Sequence, residues 1–186
     1  ILLHDNGHDV TVWSIHEKEV EMLNTTRRHE SKLPGVEIPE GILFTTDMKE
    51  TMSDKDVCVL AVPSPFIRST CQKMKAYVRA GQINVNVAKG IEESTLYTLT
   101  DIIEEEMPYA DACVLSGPSH AEEVSRRLPT TCVVSARTRK TAEYLQSVFV
   151  SPVFRVYISP DMLGIELGGA LKNVIALAAG TADGLG

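Results

Sequence analysis

Apolar positions along the chain fall into short runs of strand length separated by stretches with helical spacing. Residues 9–14 alternate toward β-branched and aromatic side chains, and residues 17–24 follow with Val20, Met22 and Leu23 at helical intervals, which predicts a βα step. A polar, proline-containing loop over 25–39 leads to a strand at 42–45 and a short acidic helix near 47–52. Residues 57–62 form an unbroken apolar run ended by Pro63-Ser64-Pro65, the pattern of a central parallel strand covered by helices on both faces. The alternation continues with helices at 67–77, 96–106, from His120, and at 141–149, interleaved with strands at 83–87, 112–115, 131–134 and 154–158. Strands separated by helices of roughly ten residues require right-handed crossovers and give an α/β fold with a mostly parallel, doubly wound sheet.

After Pro160 the pattern changes. Residues 161–179 read as one long apolar helix, so the chain divides into an α/β domain over 1–159 and the start of an all-helical domain over 160–186. The first residues read as the last turns of a helix closed by Gly7 at the C′ position, where a left-handed conformation suits glycine. The far end stops directly after a helical pattern, and the sequence is read as a piece of a longer protein.

Composition narrows the classes. With 186 residues, 44% hydrophobic and 23% charged, the chain has enough apolar content for a real core, which excludes disordered, collagenous and disulfide-scaffold proteins. Lys and Arg number 18 against 25 acidic residues, and no segment concentrates them, so nucleic acid is not an expected partner. The longest uninterrupted apolar stretch, 174–179, falls short of the roughly 18 residues of a membrane span, and none is expected. The four cysteines, Cys58, Cys71, Cys113 and Cys132, form no CxxC pair. They predict no metal site and read as reduced, mostly buried thiols in a cytoplasm.

Open parallel sheets bind ligands beyond the carboxyl ends of their strands, which singles out four loops. At Trp13-Ser14-Ile15-His16-Glu17, Glu17 either reaches a nucleotide ribose or is a solvated carboxylate at a helix start. In Val62-Pro63-Ser64-Pro65-Phe66, Phe66 either packs against a ligand or staples a plain strand-to-helix turn. Lys89-Gly90 offers a positive charge and a close backbone approach, or a surface lysine on a turn. In Ser116-Gly117-Pro118-Ser119-His120-Ala121-Glu122, the Ser119/Glu122 spacing fits a capping box, and Gly117 and Ser119 are placed to bind an oxyanion or hydroxyl. His120 is either an acid or base, or structural. Finally, the helical neighbours of Lys172 at three and four residues are Gly168, Gly169, Ile175 and Ala176, none of them polar. A solvated lysine normally shares its face with other charges, so Lys172 is expected to point into a poorly solvated crevice. There desolvation favours release of its proton, as a general acid requires; the competing reading is a lysine snorkelling from an apolar helix.

Ser116-Gly117-Pro118-Ser119, Ala88-Lys89-Gly90-Ile91-Glu92, Phe154-Arg155-Val156-Tyr157 and the stretch from Glu166 to Ala176 closely resemble NAD(P)-dependent glycerol-3-phosphate dehydrogenases of the bacterial type, in order from end to end. The resemblance implies a Rossmann-like dinucleotide-binding domain over 1–159 followed by a helical substrate domain. It also implies interconversion of sn-glycerol 3-phosphate and dihydroxyacetone phosphate for glycerophospholipid synthesis, and a homodimer at full length. By the same resemblance Lys172 is the catalytic proton donor and acceptor. Lys89 contacts cofactor and substrate, Gly117, Ser119 and Asn173 meet the substrate, and Trp13, Phe66 and Ala121 meet the cofactor. The family's GxGxxG turn does not occur in these residues, so the chain is expected to begin inside the helix after it, and this piece alone is expected to have little activity. Many bacterial members carry an Arg where Ile15 stands, so of NAD and NADP the former is favoured. Two rival readings are a related two-domain dehydrogenase of a hydroxy acid and a noncatalytic nucleotide-binding module.

Overall fold

The computed structural model describes residues 1–186. Its elements run α1 (Leu2–Asp5), β1 (Thr11–Trp13), α2 (Glu17–Thr26), β2 (Arg28–His29), β3 (Leu33–Glu37), β4 (Leu43–Thr45), α3 (Met48–Met52) and β5 (Val57–Leu60). Next come a 3₁₀ turn at Ser64–Phe66, α4 (Ile67–Met74), β6 (Ile83–Asn86), α5 (Leu99–Glu106), β7 (Asp111–Ser116), α6 (Ala121–Ser125), β8 (Thr130–Ala136), α7 (Arg139–Phe149), β9 (Phe154–Ile158) and α8 (Met162–Leu185).

Five strands pair in the order β5-β6-β7-β8-β9, every pairing parallel except β7 with β8. One face of this sheet is covered by α3, α4 and α5, whose Met52, Ile67, Cys71, Met74, Leu99, Ile102 and Ile103 bury against Leu60 and Ala112. The opposite face takes α7 and α1, with Leu145, Val148 and Phe149 against Cys113, Leu115, Cys132, Val134 and Val156. Layers on both faces make the sheet doubly wound, as the alternation of apolar runs predicts.

Three departures have clear causes. First, β1 and β4 form a separate parallel pair, so the parallel pairings are divided between two sheets rather than gathered in one. β5 is therefore an edge strand, and Val57, Cys58 and Val59 remain partly exposed despite the apolar run that suits a central position. Second, the expected loop at 25–39 contains an antiparallel hairpin of β2 and β3, with an irregular register between Arg28 and His29. Its Ile38 joins Leu23 and Ile42 in a small core of its own. Third, α8 is 24 residues long and, by length and composition alone, long and apolar enough to cross a bilayer, which corrects the expectation that no segment is. Its first turns pack on β7 and β8, whereas every residue from Leu171 onward is exposed.

The reversal of β8 sets where α8 begins. Ser116, the last residue of β7, pairs with Val133, and Ile158, the last of β9, pairs with Val134. The chain thus leaves β9 at the level where β7 ends, and Ser159, Pro160 and Asp161 suffice to start α8 there. Asp161 Oδ1 caps the helix by accepting from Gly164 N at 2.8 Å.

Candidate active site

Beyond the ends of β6 and β7, the first turns of α8 close one wall of an open crevice of about 390 Å³. Lys89, Ser116, Gly117, Ser119, Gly168 and Lys172 are among its lining residues. The chain reaches Lys89 through a turn made by Asn86, whose Oδ1 accepts from Ala88 N at 3.0 Å and whose Nδ2 donates to Ala88 O at 3.1 Å. Gly90 follows with φ +145°, and a Cβ there would stand 2.6 Å from Ser64 Oγ, so the Lys89 loop rests on the turn after β5. Arg68 of α4 clamps the same loop: Nε and Nη2 donate to the two oxygens of Glu92 at 2.8 and 2.7 Å, while Nη1 reaches Glu105 and Glu106. The Glu92 carboxyl is held down to about 2, first by Arg68 and then by the Thr95 hydroxyl.

Gly117 sits against the backbone of β8, where a Cβ would lie 2.6 Å from Thr131 O. The expected capping box does not form. Ser119 Oγ donates instead to Gly117 O at 3.3 Å, and His120 takes the N-cap position of α6 without a capping side-chain bond. Ser119 and Lys89 both face Cys132: burial pushes that thiol up, opposed by the Ser119 hydrogen bond and the Lys89 charge.

Lys172 enters from α8 on the face that also carries Ile165, Gly168 and Gly169, at helical spacings of three, four and seven. Gly169 permits the approach, since a Cβ there would already stand 3.0 Å from Ser116 Oγ and 3.4 Å from Lys89 Cγ. The poorly solvated setting expected for Lys172 is not found. Lys172 lines the crevice but is exposed, because no element covers α8 at that level.

The fold thus brings Lys89, Gly117, Ser119 and Lys172 together and leaves four other candidates outside the lining. Asn173 is exposed, about 100° round the helix from Lys172. Ala121, also exposed, follows His120 on the rim. Phe66 is 58% exposed, two residues beyond the Ser64 that touches Gly90. Trp13 belongs to the separate β1-β4 pair, where its Nε1 donates to Thr46 O at 3.0 Å and the Lys73 ammonium lies 5.6 Å from its ring.

Two carboxylates are organised in ways that the sequence pattern does not reveal. Glu17 is exposed at the end of β1, and the organised acid there is Glu19, which accepts from Ser14 Oγ (2.5 Å), Lys32 Nζ (2.6 Å) and His29 Nε2 (2.9 Å). The Lys32 and Ser14 bonds bring the Glu19 carboxyl down to about 2. Glu166, buried between α8 and the sheet, accepts from Thr100 N at 3.0 Å, Asn86 Nδ2 at 3.4 Å and the Thr100 hydroxyl. A carboxylate three residues before Gly169, in the otherwise apolar stretch 162–171, was the available signal. No group of three His, Cys, Asp or Glu side chains is arranged to hold a metal ion.

Residues 1–142 match the family described as NAD-dependent glycerol-3-phosphate dehydrogenase N-terminus, and residues 161–186 match its C-terminus counterpart. The chain is 61% identical over its whole length to the glycerol-3-phosphate dehydrogenase [NAD(P)+] of Agathobacter rectalis and 57% identical to that of Fusobacterium nucleatum. It spans 55% and 56% of those proteins' lengths. Among solved structures, the glycerol-3-phosphate dehydrogenase of Coxiella burnetii superposes with a TM-score of 0.89 at 28% identity, over 99% of this chain and 56% of that one. A doubly wound sheet, a lysine-lined crevice at its strand ends and these matches along the whole sequence agree: the chain belongs to the NAD-dependent glycerol-3-phosphate dehydrogenase family.

Proposed function

We propose that this chain supplies the dinucleotide-binding domain, over 1–159, and the first substrate-domain helix, over 160–186, of a cytoplasmic, homodimeric enzyme. That enzyme interconverts sn-glycerol 3-phosphate and dihydroxyacetone phosphate with NAD or NADP. The observation that carries the reading is the meeting of Lys89, Gly117, Ser119 and Lys172 on one crevice at the carboxyl ends of β6 and β7. Residues as far apart in sequence as Lys89 and Lys172 converge there on two positive charges and a hydroxyl, a donor set suited to a phosphorylated three-carbon ketone.

The walls also fit a nicotinamide group. Gly168 leaves open space where any other residue would place a side chain, and the exposed Phe66 ring lies on the turn that supports Gly90. Bound there, the cofactor supplies or takes up the hydride. The protein's own part is electrostatic and protonic. Reduction builds negative charge on the ketone oxygen, and the Lys172 ammonium stabilises that charge and then gives its Nζ proton to the oxygen; in oxidation it takes the proton back. Lys89 holds substrate and cofactor by charge, while Ser119 and the backbone at Gly117, with Asn173 beside Lys172, orient the substrate. From the rim and the neighbouring elements, Trp13, Phe66 and Ala121 are the residues that would meet the cofactor.

Lys172→Ala in a protein of the relatives' full span tests this reading. General acid–base catalysis contributes about 10²- to 10⁴-fold, so turnover of dihydroxyacetone phosphate should fall by that factor with NADH affinity kept. Unchanged turnover would refute the role of Lys172, and turnover of a hydroxy acid instead would refute the substrate. NAD is the preferred cofactor in this reading. Ile15 is 59% exposed where an arginine would meet a 2′-phosphate, and Lys32 is engaged with Glu19, the carboxylate that also bonds Ser14. A lost charge-assisted bond is worth about 1.5–3 kcal/mol, so kcat/KM should favour NADH over NADPH by about tenfold or more. A preference for NADPH would contradict it.

A further inference from the structure

Two adjacent faces of α8 do different things. Ile165, Gly168, Gly169 and Lys172 form the face toward the crevice. The face through Glu166, Gly169 and Ala170 is turned about 100° from it and lies against the body, with Gly169 common to both. On the second face the only polar anchor is the buried Glu166 carboxylate. All its partners are donors: Thr100 N and Asn86 Nδ2 on one oxygen, the Thr100 hydroxyl on the other.

Those donors are themselves fixed. Thr100 stands in the first turn of α5, where Thr98 and Asp101 form a capping box, and its N–H has no acceptor within its own helix. Glu166 therefore caps α5 from another element. Asn86 ends β6 and also forms the turn that presents Lys89. One carboxylate thus joins the strand end leading to Lys89, the start of α5, and the helix carrying Lys172.

We propose that Glu166 is the positioning residue of the active site: through Thr100 and Asn86 it fixes the rotation and height of α8, and so sets Lys172 opposite Lys89. The proposal rests on the function proposed for this crevice for its catalytic consequence, but the placement itself is independent of it. With Ala at 166 the α8 face loses its anchor and the Thr100 N–H loses its acceptor. With Gln, the amide oxygen still accepts from Thr100 N and Asn86, and the amide NH₂ donates to the Thr100 hydroxyl, which accepts as readily as it donates.

The test uses a protein of the relatives' full span, with Glu166→Ala, Glu166→Gln and, should the first fold poorly, Thr100→Val, which removes one donor and keeps the shape. A short bis-succinimidyl reagent should cross-link Lys89 to Lys172 in wild type and Glu166→Gln. The yield should drop several-fold in Glu166→Ala and less in Thr100→Val. A misplacement of about 1 Å costs on the order of 10²-fold in rate, so kcat should fall by that order in Glu166→Ala and recover in Glu166→Gln, with NADH affinity unchanged. A lower melting temperature with unchanged kcat and cross-link yield means that Glu166 only stabilises the fold, and overturns the proposal. Absence of the cross-link in wild type overturns it as well. If wild type turns over no dihydroxyacetone phosphate, the functional reading fails, and the cross-link yields alone decide the positioning role.

Discussion

A methyl group at Gly117 would stand 2.6 Å from Thr131 O and 2.9 Å from Cys132 Cα, backbone atoms of β8 that cannot rotate away. Gly117→Ala should therefore push the 116–119 loop off β8 at about 1–3 kcal/mol, read as a lower melting temperature and a higher KM for the phosphorylated substrate. Gly168 is the opposite case, with nothing within 4 Å of its Cβ position. Gly168→Ala should hold or raise stability by up to about 1 kcal/mol on helix propensity, while raising KM because the methyl enters the crevice. Equal effects of the two substitutions would contradict this division. Glycines, lysines and the serine of the crevice were legible from their place after predicted strands. The solvation of Lys172 was not: apolar neighbours imply a buried face only where another element covers the helix, and sequence does not show which elements those are.

At the scale of elements, two carboxylates bind parts of the fold together in an acid-sensitive way. Glu19 ties the β2–β3 hairpin to the end of β1, and Glu92 ties the Lys89 loop to α4. Both are held down to about 2, so each takes up a proton less readily folded than unfolded, where the ordinary value is 4.5. Their contribution is complete above about 4.5 and is lost as pH falls toward 2. The single tryptophan, Trp13, adjoins Ser14 and should report release of the hairpin over that interval; Glu19→Gln should flatten the transition, and an unaltered transition would count against Glu19 as its source. The elements were largely readable because most apolar runs matched a strand or helix period. The hairpin was hidden because Pro34 and Gly35 inside β3 read as breakers. Capping spacing was ambiguous: Thr98 with Asp101 and Ser119 with Glu122 both match the pattern, and only the first closes, because Ser119 Oγ turns back to Gly117 O.

Across the whole molecule, the sheet is split and the last helix stands free. β1-β4 and β5–β9 share no strand pairing, so the unpaired edge of β5 and the exposed α8 residues leave much apolar surface in water. Val174, Ile175 and Leu177 are among the most exposed. The 186-residue chain by itself is expected to self-associate through α8, and sedimentation of Ile175→Glu with Leu177→Glu should return a monomer; association unaffected by these changes would assign it elsewhere. Neither the split nor the exposure follows from periodicity, which registers that a segment is apolar but not what lies beside it.

The link of Ser159, Pro160 and Asp161 between β9 and α8 governs how the sequence tolerates length change. Strand β9 is locked to β8, and each residue added to a helix turns it by about 100°. One inserted residue in the link would set the rotation dictated by β9 against the seat of Glu166. If the strand prevailed, the face that presents Lys172 would turn into the seat of Glu166, and Glu166 would be carried about 100° beyond it. Insertions and deletions should therefore be excluded from these three positions while remaining permissible at the tip of the β2–β3 hairpin, where no helix orientation depends on the count.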